Sequence, residues 1–284
     1  MSCLAPLSED TVSLLKSSQV VTSVWSAVKE LVENSLDAAA TNIEVRLEQQ
    51  GLARLCVRDN GCGVGKSEIP GMVEPHTTSK FRSGPATTSQ WESPNFVVCR
   101  EMSDFARLST YGFRGEALAS LCRLSQLTIT TRTREDEAAT RTSFDGQHRV
   151  VRQEVCAGRV GTEVAAVDLF CNLPVRRNFY KNISRRKEEL EKVKRLLHSF
   201  SICCPEVKFS LHHDKISLWS SLGNGNLLDN VAAVIGRREA NNLQSFSAWL
   251  DPETGHILET EETELRISGL VPSLYPGVSA ELGE

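Results

Sequence analysis

VVTSVWSAVKELVENSLDA, residues 20–38, sets Val24, Ala27, Val28, Leu31, Val32 and Ser35 at helical spacing, and no residue in the run breaks a helix. On that helix Glu30, Asn34 and Asp37 follow one another at intervals of four and three. At 100° per residue they fall within about 60° of each other and share one face. Asn34 offers a neutral carboxamide oxygen of the kind a hydrated magnesium ion accepts alongside phosphate oxygens. Glu30, one turn earlier, is placed to orient or deprotonate a water. The same spacing also describes a solvated helix face, so these three residues alone do not decide between the readings.

Downstream, IEVRLEQ alternates Ile43, Val45 and Leu47 with charged residues, and QQG turns the chain into LARLCVRD, which predicts a hairpin with one buried face. Asp59 continues the alternation of Ala53, Leu55 and Val57, placing its carboxylate on the buried side at the strand end. A lone carboxylate there is costly unless something donates to it. A ligand amino group is one donor, with Gly61 and Gly63 letting a flat ring approach the backbone. Neighbouring amides in a DNG turn are the other.

A polar stretch, about 72–111, is expected to form a loop or lid. Within it PHTTSK brings Thr78, Ser79 and Lys80, suited to touching phosphates. GFRGEALASLCRL, 112–124, resumes helical character after Gly112 and Gly115, an arrangement that offers free backbone N–H groups and a positive helix end to phosphate. LTITTRT reads as a strand, Asp145-Gly146 as a hairpin turn, GTEVAAVDLF as an inner strand, and 187–200 as a helix that Pro205 stops. The expectation is a mixed sheet with helices over 1–205, then an incomplete second α+β domain over 206–284.

The 284 residues are 40% hydrophobic and 24% charged, ordinary globular material, and the net charge of -4 argues against a protein that coats nucleic acid. Nine cysteines show no CxxC pair and mostly sit in apolar runs, which reads as reduced, buried thiols in an intracellular protein. No apolar stretch approaches the roughly 20 residues of a membrane span, and no signal-peptide pattern opens the sequence.

In order along the chain, KELVENSLDA, RDNGCG, HTTSK, YGFRGEAL, GTEV and NLPVRRNFY resemble the N-terminal ATPase of the MutL family of mismatch repair proteins. SSQVVTSVWSAVKELVENSLDAAAT is similar to the eukaryotic postmeiotic-segregation branch in particular. The resemblance implies a Bergerat-type (GHKL) two-layer α/β sandwich with a mobile lid, followed by part of a ribosomal S5-like domain. It implies that Glu30 activates the attacking water, that Asn34 holds Mg²⁺, and that Asp59 accepts from the adenine amino group with Gly61 and Gly63 beside the ring. Asp37 would share the nucleotide site and Thr162 the adenine subsite. Thr78, Ser79, Lys80, Gly112, Phe113, Arg114, Gly115, Glu116, Ala117 and Leu118 would surround the phosphates. The partners it implies are a second MutL-type subunit, MutS-type mismatch-recognition proteins and DNA, in the nucleus and without a membrane.

Two features depart from the family. Residues 81–111 make the lid longer than expected. The lysine that a second domain supplies to the γ-phosphate belongs to a motif beyond Glu284, which makes hydrolysis by this chain less secure than binding. The expected function is slow ATP hydrolysis driving a conformational clamp; the alternative is a non-hydrolysing scaffold in a heterodimer. Arg176, Arg177, Lys181, Arg185 and Arg186 form a candidate DNA contact, although a charged helix interleaved with glutamates is also an ordinary solvated face.

Overall fold

The computed structural model describes residues 8–75, 111, 115–250, 257–258 and 266–272. It opens with helix α1 (Glu9–Val20) and the expected helix α2 (Val24–Asp37). Ser23 starts α2 with a capping box, its hydroxyl accepting from Ser26 N at 3.1 Å while Ser26 Oγ accepts from Ser23 N at 2.9 Å. The hairpin follows as β1 (Asn42–Glu48) and β2 (Arg54–Asp59), paired antiparallel from Ile43 opposite Asp59 to Glu48 opposite Arg54.

Helix α3 (Ala117–Leu124) begins after Gly115, whose φ of +62° suits the turn into it. Then come β3 (Gln126–Arg132), β4 (Ala139–Phe144), β5 (Val150–Cys156), β6 (Gly161–Val167), α4 (Pro174–Phe179) and α5 (Ile183–Cys203). The Asp145 carboxylate accepts from Gln147 N and Arg149 N, both at 2.9 Å, and so shapes the turn that joins β4 to β5. The long helix α5 outruns the 187–200 expectation at both ends, starting behind the Asn182 cap.

Here the expected boundary near 205 is corrected. Strands β7 (Lys208–His213) and β8 (Ile216–Ser220) do not open a second domain; they complete the first sheet, whose order is β5-β4-β3-β6-β2-β1-β7-β8. β7 lies parallel to β1 from Asn42 opposite Lys208 to Leu47 opposite His213, and every other neighbouring pair is antiparallel. The chain reaches β7 through α5, the kind of crossover a parallel neighbour requires. Helices α6 (Leu227–Ile235) and α7 (Arg237–Ala240) follow, and Trp219 Nε1 on β8 donates to Ala233 O at 3.0 Å. A separate sheet starts only at β9 (Leu243–Leu250), flanked by β10 (Ile257–Leu258) and β11 (Arg266–Pro272) in the order β10-β9-β11.

The core lies between the helices and one face of the large sheet: Val24, Ala27, Val28, Leu31 and Val32 of α2 meet Ile43, Val45, Leu55 and Val57 of the hairpin, Ile129 of β3 and Phe209 of β7. Each of these side chains larger than alanine contributes about 1.5–3 kcal/mol by leaving water. Among the described residues no helix is long and apolar enough to cross a membrane.

Two polar clamps fix α2 and the turn before it. Glu189 of α5, 6% exposed, accepts from Trp25 N at 3.2 Å and from Lys192 Nζ at 3.2 Å. Its carboxylate therefore satisfies an amide that the first turn of α2 leaves unpaired, at the end where the helix dipole favours an anion. Arg176 donates to Ser18 O at 3.0 Å and Val21 O at 2.9 Å, with its guanidinium over the Phe170 ring at 5.1 Å. Glu189→Ala should cost about 2 kcal/mol or more in urea denaturation, because Trp25 N is then buried without an acceptor. Glu189→Gln, which keeps an acceptor, should cost less.

Candidate functional site

The Asp59 carboxylate sits at the end of β2 and receives three donors from three parts of the fold. Its Oδ1 accepts from Gly61 N at 2.9 Å and Thr162 N at 3.1 Å, and its Oδ2 accepts from Ser35 Oγ at 2.9 Å. The turn reading of DNG is therefore correct as far as Oδ1 goes. Burial raises the Asp59 pKa, and the hydrogen bonds from Gly61, Ser35 and Thr162 offset part of that rise.

Asp59 lines a cavity of about 70 Å³ together with Leu31, Asn34, Val57, Leu118 and Thr162. Two predicted polar groups, Asn34 and Thr162, thus converge with Asp59, while apolar side chains supply much of the wall. Leu118 comes from the first turn of α3, whose N-cap position is Glu116; Gly115, Glu116 and Ala117 are not among the residues that line the cavity.

Glu30 lies one turn before Asn34 on α2, with its side chain 37% exposed. Lys29 Nζ stands 3.9 Å from Glu30 Oε1 but 2.6 Å from Glu33 Oε1, so the lysine is held chiefly by the buried Glu33. Lys29 and Glu30 each keep 37% of their side-chain surface while Glu33 is buried, so this face of the helix is only partly open to solvent. Asp37 Oδ1 accepts from Tyr111 N at 2.9 Å, so the carboxylate fixes the returning chain immediately before Gly112. Thr78, Ser79, Lys80, Gly112, Phe113 and Arg114, with most of the expected lid, lie outside the described residues.

The glycines have a nearer reason than a flat ring. A Cβ on Gly61 would stand 2.6 Å from Ala38 O, and one on Gly63, at φ +74°, would stand 2.1 Å from Arg132 O. Both positions are therefore required by the protein's own backbone. The same holds for Gly161, whose φ is +122° and whose Cβ would meet Asp59 O at 2.2 Å.

Two hydroxyls escaped the sequence reading. Ser35 is 4% exposed and looked like one more member of the apolar stripe, its hydroxyl being the signal. Thr131 is 3% exposed in the alternation of β3; its Oγ1 accepts from Val64 N at 2.8 Å and lies 3.1 Å from Thr162 Oγ1. It links the loop after β2 to the start of β6.

The five basic candidates do not form one open patch. Arg176 is committed to the clamp on α1, and Arg177 pairs with Asp168 at 2.9 Å. Arg185 stacks over Phe179 at 5.0 Å and lies 3.6 Å from Glu188, while the Nε of Arg186 is buried. Lys181 is exposed.

Because the folded-state pKa of Asp59 is raised, the fold holds its proton more tightly than the unfolded chain does. Its contribution is most favourable below the ordinary carboxylate range and is lost as pH rises through the folded value. Asp59→Asn removes that titration. The stability of Asp59→Asn relative to the parent should therefore grow between pH 4 and pH 7, measured by urea denaturation at both; a constant difference would contradict the assignment.

The sequence comparisons agree with this geometry. Residues 21–158 match the family described as histidine kinase-, DNA gyrase B-, and HSP90-like ATPase. The chain is 37% identical over 262 residues to PMS1 protein homolog 1 of Homo sapiens, covering 92% of this chain and 25% of that protein. It is 32% identical over 271 residues to the DNA mismatch repair protein MutL of Lactobacillus helveticus, covering 95% of this chain and 37% of that one. Among solved structures, the N-terminal domain of a DNA repair protein superposes with a TM-score of 0.67 at 28% identity, over 84% of this chain and 65% of that one. The Aquifex aeolicus MutL ATPase domain complexed with ADP gives 0.56 at 22% identity, over 84% of each, a likeness of fold. The chain thus spans 25% and 37% of the length of these two curated relatives; within that span it is similar to the MutL-type proteins of DNA mismatch repair, and its fold is that of their ATPase domains.

Proposed function

We propose that the cavity beside Asp59 binds the adenine of Mg²⁺-ATP and that the chain hydrolyses the nucleotide slowly. One observation carries the reading. A half-buried carboxylate that accepts three protein donors keeps one acceptor position, beside a small cavity walled largely by apolar side chains and completed by Asn34 and Thr162. That combination suits a flat heterocycle with an amino group. Support comes from the family match and from the ADP held by the Aquifex aeolicus relative.

In this reading Asp59 accepts from the base amino group and Thr162 faces the same edge. Asn34 supplies a carboxamide oxygen to Mg²⁺, a hard cation that takes oxygen ligands and whose charge would neutralise phosphate oxygens. The structure is consistent with this: Asn34 lines the cavity one helical turn from Glu30. Glu30 orients and deprotonates the attacking water. Gly115, Glu116, Ala117 and Leu118 bring the N-terminus of α3 toward the phosphates, and Thr78, Ser79, Lys80, Gly112, Phe113 and Arg114 close over them.

The output is conformational: nucleotide binding brings two MutL-type N-terminal regions together as a clamp in a nuclear heterodimer, with a MutS-type protein upstream. Of the basic candidates, the exposed Arg177, Lys181 and Arg185 are the groups we assign to DNA phosphates, since Arg176 and Arg186 are half-buried. The sheet that begins at Leu243 is assigned to the second, S5-like domain.

Equilibrium binding of Mg²⁺-ATP and steady-state phosphate release test the scheme. Asp59→Asn should fold but lose binding by at least about tenfold, because an amide N–H replaces the free acceptor. Glu30→Ala should retain binding and lose turnover by about 100-fold or more. Binding by the parent with turnover equal to that of Glu30→Ala would leave a non-hydrolysing scaffold instead.

A further inference from the structure

Ser35 lies in the middle of α2, 4% exposed, where alanine would fill nearly the same space without a polar atom. A buried hydroxyl in a helix interior needs a partner, and this one has two acceptors: Leu31 O at 3.1 Å and Asp59 Oδ2 at 2.9 Å. The bond to Leu31 O would satisfy the hydroxyl by itself, as in many helices. The shorter contact is the informative one.

An ionised carboxylate accepts only, with about four positions over its two oxygens. Gly61 N and Thr162 N occupy both positions of Asp59 Oδ1. Ser35 occupies one of Oδ2, and the side chain of Asp59 then has no rotation that keeps all three donors. Asp59 lines the cavity, and the last position of Oδ2 is the one acceptor it has left to offer there.

We propose that Ser35 is a positioning residue for base selection, holding Asp59 Oδ2 so that its one remaining acceptor meets the amino group of a 6-aminopurine. This rests on the reading of the cavity as a nucleotide site. Ser35 also lines the cavity, but its hydroxyl is taken up by Leu31 O and Asp59 Oδ2, so in this account it acts through Asp59. Without its hydroxyl, Oδ2 has two open positions, loses the bond that fixes its direction, and admits water beside the base. The energetic loss then belongs to the amino-group contact and not to the rest of the nucleotide.

The test compares Mg²⁺-ATP with the triphosphate of purine riboside, which lacks the 6-amino group, on the full chain by equilibrium binding. The parent should prefer ATP. Ser35→Ala should bind ATP about tenfold more weakly while binding the purine riboside triphosphate within about twofold of the parent. Ser35→Cys, a weaker donor of similar size, should fall between. Circular dichroism of each variant confirms folding.

An equal loss for both nucleotides would mean that Ser35 merely supports the helix and would overturn the proposal, as would no loss for either. A parent that binds both nucleotides equally would overturn the role of Ser35 and leave a nucleotide site standing. A parent that binds neither would remove the nucleotide reading, and the proposal with it.

Discussion

The carboxylate of Asp59 is the point at which three separate pieces of chain are tied together. Leaving it alone in the interior would cost several kcal/mol, so the fold supplies donors from α2, from the turn after β2 and from the first residues of β6. Those donors can reach it only if the backbones come close. Gly161 sits against the Asp59 carbonyl, Gly63 against the Arg132 carbonyl and Gly61 against that of Ala38, each at a separation that a β-carbon would violate. The glycines around the site are thus the consequence of satisfying one buried charge, and the cavity is the space left where the carboxylate still has an acceptor to offer.

The helix that lines this cavity is held from both ends. At its start, the Ser23 cap and the Glu189 carboxylate satisfy the free amides, and Arg176 grips the carbonyls of Ser18 and Val21 just before it. At its end, Asp37 receives Tyr111 N. Glu30 and Asn34 lie between these fixings. Side chains at three- and four-residue intervals share a face on any helix, but their placement relative to Asp59 follows from where these anchors set the helix on the sheet.

Periodicity made the principal helix, the first hairpin and the inner strands legible because each of those signals is local. The alternation of Leu55, Val57 and Asp59 even fixed which face the carboxylate occupies. What the pattern could not carry was partner choice between distant strands. KFSLHH reads as a strand from its own residues, yet nothing in them names β1, and the break at Pro205 suggested a domain boundary where the chain was only leaving α5 to return to the same sheet. Ser35 and Thr131 were illegible for a related reason. A small hydroxyl in an apolar stripe is indistinguishable from packing until its acceptor, 24 residues away in the case of Ser35, is in view. Arginine has the same ambiguity: Arg176 belongs by composition to a basic run, and by geometry to the interior.

That last contrast bears on how α5 relates to the cavity beside Asp59. Its basic face and its buried face are set by one helix, and the buried face reaches α2 through Glu189. The contact is a charged hydrogen bond to a helix N-terminus, which is directional and loses strength within a few tenths of an ångström or a modest tilt. A rigid displacement of α5 therefore cannot leave the start of α2 unaffected unless Glu189 releases Trp25 N, which would bury that amide without a partner. Motion at the helix carrying Arg185 is in this way tied mechanically to the helix carrying Glu30 and Asn34.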